Sequence, residues 1–302
     1  MISPTCSDEV ATALAESRPV VALESTIFSN LGLPSPANRE ALDRCAAAIR
    51  EGGAVPAVTA VLDGIVRVGI DDVEMGRILG PARKMAERDV PVAIAQRWEF
   101  GASTVSASVA VAAAAGISVF ATGGIGGAHR GSDLTGDISA DLDALAHHSV
   151  VTVCAGAKAF LDLARSLEYL ETVGVPVLGW QHDWFPAFYT RSSGLPAPHR
   201  VESADEVARV LAAATRPSSG VLLAVPIPED DELDPDELGG VLDQALQDCD
   251  TAGITGSAIT PFVLGRIAEA TDGRSIPANL ALAENNARVA AEVAVAVARS
   301  LR

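Results

Sequence analysis

The 302-residue sequence predicts an α/β fold organised around a largely buried sheet. Three observations carry that expectation. Short β-branched runs alternate with longer helix-patterned ones along the chain. No internal repeat and no Pro/Gly/Ser-rich linker interrupts the alternation. Hydrophobic residues make up 49% of the composition, ample for a sizeable core in one large domain or two.

In chain order, the apolar run 20–23 reads as a strand and 38–51 as a helix. Segments 54–62 and 64–68 extend the strand-like series, and 90–95 continues it. Residues 105–121 form the longest weakly polar run, but they are Ala, Val and Ser in the main, with Gly116 inside. That composition predicts a tightly packed helix over 105–115 and a buried strand over 117–121 rather than a membrane span. Ser139 is placed to cap a helix over 140–147. A buried strand over 150–154 turns at Ala155-Gly156-Ala157 into a helix expected over 158–172, which closes at Gly174 before Pro176. Strands at 175–178 and 220–225, a helix at 204–214 and a terminal helical stretch over 279–301 complete the alternation.

Charge narrows the function classes. With 39 acidic against 22 basic residues, the net charge of −17 repels nucleic-acid backbones and anionic membranes, so neither is an expected partner. A single phosphorylated metabolite remains compatible, because local amides and one or two cations can hold it. The amino terminus lacks the charged start and apolar core of a secretion signal. Cys6, Cys45, Cys154 and Cys249 show no paired spacing, which predicts free thiols in a reducing cytoplasm. The acidic run 229–237 fits no standard metal loop and reads as a solvated turn leading into a helix.

Twenty arginines but only two lysines, Lys84 and Lys158, carry the positive charge. An ammonium differs from a guanidinium in that burial can turn it into a free nucleophilic amine. Lys158 follows a buried strand among small apolar residues and opens the expected helix, two settings that disfavour its cation. Glu24, in Leu23-Glu24-Ser25-Thr26, stands at the carboxyl edge of an apolar strand, where burial raises a carboxyl pKa toward general-acid use. The glycine-rich run 123–131 lets backbone amides face an anion, with His129 and Arg130 as added donors, and it does not match the dinucleotide fingerprint. Asp137 precedes the Ser139 cap and is a candidate oxygen ligand for a hard divalent ion. His147 and His148 flank a loop and read as surface residues.

These segments together resemble the pseudouridine-5′-phosphate glycosidases, also called pseudouridylate synthases or indigoidine synthase A-like proteins. The resemblance runs through ALESTI, GLPSPAN, GAVPAVTAVLDG, RDVP, STVSAS, FATGGIGGAHRG, DISADL, AGAKAFLDL, SLEYLETVGVPVLG, FPAFYTR and ITPFVLGRI, in order and over nearly the whole chain. It implies a single domain over 1–302 with a three-layer α/β/α architecture and a mixed, largely buried sheet. It also implies reversible cleavage of the C–C glycosidic bond of pseudouridine 5′-phosphate to uracil and ribose 5-phosphate, with manganese or another divalent cation, in a homotrimer.

Carried over by position, the resemblance puts the family's nucleophilic lysine on Lys158, its proton donor on Glu24 and its metal-binding aspartate on Asp137. Substrate contacts fall on Lys84, Val105, Ser139, Ala140 and Asp141, and His129 is expected to help hold the phosphate. Two departures bear on Lys84: the 96–101 segment is bulkier and one residue longer than the family's Gly-rich linker, and Met85-Ala86-Glu87 is more acidic than usual. Two other readings compete. A Schiff-base aldolase on another phosphosugar would share Lys158 and is separated by product analysis. A non-catalytic sugar-phosphate-binding protein would need no amine, so Lys158 and Glu24 together speak against it.

Overall fold

The computed structural model describes residues 2–214, 218–254 and 256–300. Its strands are β1 (Thr5–Cys6), β2 (Val20–Leu23), β3 (Val55–Leu62), β4 (Ile65–Val68), β5 (Arg83–Met85), β6 (Phe100–Ser103), β7 (Val119–Ala121), β8 (Val151–Cys154), β9 (Val177–Trp180), β10 (His199–Val201) and β11 (Val221–Ala224). They form one sheet in the order β1-β4-β3-β2-β7-β8-β11-β9-β10, with β6 also on β3 and β5 on β6. From β3 through β2 to β10 every pairing is parallel. β3 pairs antiparallel with both β4 and β6, so the sheet is mixed.

Helices cover both faces, and the central strands carry apolar residues on both sides as a doubly covered sheet requires. Every residue of β2, β7, β8 and β11 is buried. The Val105–Ala114 helix packs on β2, β3 and β7. Its first eight residues are all buried, and their small Ala, Ser and Val side chains allow the close approach expected of that run. The Ser275–Ser300 helix lies along β2, β7 and β8 and also contacts the Ala37–Glu51 and Ala204–Ala212 helices. Among the described residues, no helix is long and apolar enough to cross a membrane. All four cysteines are free.

Three sequence expectations require correction. The strand-like run 90–95 is a helix, Val90–Ala95, with proline in its first turn. Val90 and Ala93, three apart, are buried while Val92 and Ile94 face outward, so helical spacing and not alternation matches the core. The helix expected from Lys158 begins only at Leu163, where the Asp162 side chain caps it by accepting from the Arg165 amide at 3.0 Å. Lys158 lies in the turn before it, so a helix dipole does not act directly on its amine. The terminal helix starts at Ser275, and its expected last residue, Leu301, lies outside the described residues.

The chain between β8 and Lys158 depends on one glycine. Gly156 has φ +81°, and a Cβ there would stand 2.1 Å from the Pro186 carbonyl oxygen. Gly156→Ala is expected to destabilise the fold by at least about 2 kcal/mol, from left-handed strain plus overpacking. Urea unfolding checks this, and a near-neutral change would show that the turn relaxes freely.

Candidate active site

The carboxyl ends of β2, β7 and β8 converge on one cavity of about 650 Å³. Glu24 directly follows β2, Thr122 to Gly124 follow β7, and the 155–158 turn follows β8. This is where open α/β sheets place their ligands, beyond the carboxyl ends of parallel strands. Glu24, Lys84 and Lys158 line the cavity, as do Val105, His129 and Asp137. Ser139, Ala140 and Asp141 complete the set, so every expected site residue except Arg130 reaches the same space.

Lys158 is half-buried, and its Nζ donates to the Gly124 carbonyl at 3.0 Å. Its own amide donates to the Ile125 carbonyl at 3.1 Å, which holds the turn against the glycine loop. Glu24 is buried and accepts a hydrogen bond from the Thr122 hydroxyl. Burial pushes its carboxyl above the ordinary 4.5, against the opposing pull of the Lys158 charge, the Thr122 hydroxyl and Lys84. The acid form therefore persists to higher pH than in a solvated glutamate.

Lys84 projects from the middle of β5, whose register sets it opposite Ala102 of β6. Burial lowers its pKa, the Lys158 charge lowers it further, and Asp141 and Glu24 oppose the fall. Burial also lowers the pKa of His129, with Asp137 pulling the other way and both lysines adding to the fall. At neutral pH, His129 is thus a neutral hydrogen-bonding group. Cys154, at the end of β8, is fully buried and its thiol is pushed up to about 12, so it offers no thiolate to the cavity.

Part of the glycine loop is bonded within the protein. The Gly126 amide donates to Asp141 at 2.8 Å, that of Ala128 to Ser166 Oγ at 2.9 Å, and that of His129 to the Asp137 carbonyl at 3.0 Å. Those amides serve the protein, not a ligand. The glycines are needed for close packing: a Cβ would stand 2.5 Å from Phe188 at Gly124 and 2.3 Å from Ser139 Oγ at Gly126. Arg130, expected as a donor, turns outward to Asp243 at 2.9 Å. Asp141 lines the cavity, yet its two oxygens already accept the Ser106 amide at 2.9 Å and the Gly126 amide. Ser139 caps the Ala140–His147 helix as expected.

Several residues in or beside the cavity escaped the sequence reading. Thr122 looks like one more strand-end hydroxyl, and only its contact with Glu24 singles it out. Phe188, at φ +63°, and Tyr189 stack edge-on, 4.7 Å apart, and both line the cavity. The side chains of Ser275 and Asn279 hydrogen-bond the Tyr189 hydroxyl. Asn279 also lines the cavity, and its buried Oδ1 has no hydrogen-bond partner among the described residues. An unpaired buried acceptor is costly, so Asn279 suits a ligand N–H. Among the described residues no group of three or more His, Cys, Asp or Glu side chains could hold a metal ion.

Fold and site together define an α/β protein with an amine and a buried acid at the carboxyl edge of its sheet, the equipment of a lysine-dependent enzyme. Residues 9–296 match the family described as Indigoidine synthase A like protein, and the chain belongs to that family. It is 48% identical to the pseudouridine-5′-phosphate glycosidase of Caldanaerobacter subterraneus subsp. tengcongensis, over 96% of this chain and 95% of that one. To the glycosidase of the same name from Nocardioides sp. it is 49% identical, again over 96% and 95%. Among solved structures it is similar to the prealnumycin C-glycosynthase AlnA in complex with ribulose 5-phosphate, with a TM-score of 0.90 and 38% identity over 98% and 97% of the two chains. An indigoidine synthase A-like protein from Thermotoga maritima gives 0.88 at 31% identity, over 99% and 97%.

Because the Thr122 hydroxyl favours the charged form of Glu24, Thr122→Val is expected to raise the Glu24 pKa further. Carboxyl ¹³C NMR of glutamate-labelled protein reads the shift. An unchanged or lower value would mean that the hydroxyl does not stabilise the carboxylate.

Proposed function

We propose that the protein reversibly cleaves the C–C glycosidic bond of pseudouridine 5′-phosphate, giving uracil and ribose 5-phosphate. One observation carries the reading: the chain's only two lysines and its buried Glu24 share a single cavity. The names of its relatives, and a C-glycosynthase neighbour solved with a pentulose phosphate, support the substrate class.

Carbon 5 of uracil is a poor leaving group and needs both a proton and an electron sink on the sugar. Lys158 supplies the sink. Its Nζ bonds to C1′ as the bond from C1′ to the ring oxygen breaks, and that oxygen leaves as a hydroxyl after taking a proton. The nitrogen lone pair then forms C=N while the C1′–C5 electron pair moves onto uracil, where C5 is protonated. Water hydrolyses the imine to ribose 5-phosphate and restores the amine. Glu24 carries the protons, a role suited to a carboxyl whose pKa burial has raised.

Lys84 and the amino-terminal turn of the Val105–Ala114 helix suit the anionic end of the substrate. Phe188, Tyr189 and the unpaired Asn279 Oδ1 suit a planar base bearing N–H donors. A divalent ion such as manganese would be held by the Asp137 carboxylate. A single carboxylate fits a hard cation that keeps most of its shell as water and substrate oxygens, and the ion would supply positive charge for the phosphate. A homotrimer is the assembly that belongs with this reading. Four unpaired cysteines suit a reducing cytoplasm.

Incubation of the protein with pseudouridine 5′-phosphate and manganese should release uracil and ribose 5-phosphate in equal amounts. Absence of uracil under these conditions would overturn the reading. Lys158→Arg should abolish release, since a guanidinium keeps the charge but forms no imine. Glu24→Gln should slow it by roughly a hundredfold or more, the usual worth of a general acid–base group. Asp137→Ala should weaken the manganese requirement and phosphate affinity together, and an unchanged metal titration would reduce Asp137 to a turn residue.

A further inference from the structure

Four fully buried hydroxyls, those of Ser25, Thr59, Ser103 and Ser108, form a cluster behind Glu24, outside the cavity lining. Thr59 Oγ1 donates to the Leu23 carbonyl at 3.0 Å, and Ser103 Oγ donates to the Thr59 carbonyl at 2.6 Å. Ser108 Oγ closes a ring, 3.0 Å from Ser103 Oγ and 2.9 Å from Thr59 Oγ1. The Ser25 amide donates to Ser103 Oγ at 3.3 Å, and the Ser103 amide returns to Ser25 Oγ at 2.9 Å.

The cluster occupies a fork in the sheet. β2 ends at Leu23, and β3 leaves it after Val58 to pair with β4 and β6. The registers end at Leu23, opposite Val58 of β3 and Ala121 of β7, so Glu24 lies just past the last paired residue on both sides. Side-chain hydroxyls add to the backbone there: Thr59 Oγ1 donates to the Leu23 carbonyl, and Ser103 Oγ accepts from the Ser25 amide. The same Ser103 pairs in register with Met85, next to Lys84, and its carbonyl accepts from Thr26 Oγ1 at 2.8 Å. Core stability alone gives no reason to collect hydroxyls here, since packed apolar residues serve it at least as well.

We propose that Thr59 is a positioning residue for the reaction assigned above: with Ser103 and Ser108 it fixes the main chain on both sides of Glu24, and so the place from which that carboxyl delivers its proton. The inference rests on the glycosidase reading, and it acts on proton transfer and not on binding.

Thr59→Val keeps the branched shape and removes the hydroxyl, whereas Thr59→Ser keeps the hydroxyl. Thr59→Val should lower kcat for uracil release by roughly tenfold or more, as small displacements of a catalytic group do, with KM for the nucleotide little changed. Borohydride trapping of ribose 5-phosphate on Lys158 should continue at the wild-type level. Thr59→Ser should recover most of the lost kcat. A folded Thr59→Val protein with wild-type kcat, or a Thr59→Ser protein as impaired as Thr59→Val, overturns the proposal. If Thr59→Val does not fold, Ser108→Ala decides: it opens the hydroxyl ring without orphaning a carbonyl, and an unchanged kcat there overturns the proposal equally. A wild-type protein that releases no uracil at all would instead defeat the underlying functional reading.

Discussion

The hydrogen bond from Lys158 Nζ to the Gly124 carbonyl is the constraint on which the site depends. It ties the turn after β8 to the loop after β7, and both segments are shaped to allow it. Gly156 takes a left-handed conformation against the Pro186 carbonyl, and Gly124 leaves room for Phe188. Asp141 then binds the amides of Gly126 and Ser106, joining the loop to the first turn of the Val105–Ala114 helix. The amides of Gly126, Ala128 and His129 are spent on holding the protein together, and the Gly124 carbonyl is what faces the amine.

Electrostatics follow from that geometry. A buried acid and two amines share one cavity inside a protein of net charge −17. Burial raises the Glu24 pKa and lowers that of Lys84, so each is moved toward its neutral form by the same loss of water. Their mutual attraction opposes both shifts, and substrate charge entering the cavity acts on the same balance. A neutral His129 beside Asp137 keeps additional positive charge out of the site.

Much of this was legible in the sequence where one strong local signal decided the outcome. The strand before Glu24, the strand and turn before Lys158 and the Ser139 cap all came from apolar runs or capping chemistry that the tertiary structure leaves intact. The helix Val90–Ala95 was not, because six residues alternating in β-branched character satisfy both periods and only burial distinguishes them. β5 escaped because Arg83-Lys84-Met85 has no apolar pattern, and its strand form depends on pairing with β6. The roles of Thr122 and Asn279 could not be read either: one depends on a contact 98 positions away, and the other on an acceptor left unpaired among distant elements.

The central claim is that Lys158, and not the neighbouring Lys84, is the amine that bonds to the sugar. The two share a cavity, and composition alone cannot separate them. Treating the protein with ribose 5-phosphate and borohydride, then locating the adduct by peptide mass mapping, separates them directly. The account predicts a single sugar adduct on Lys158, with Lys84 unmodified. An adduct confined to Lys84, or none on either lysine, would contradict it.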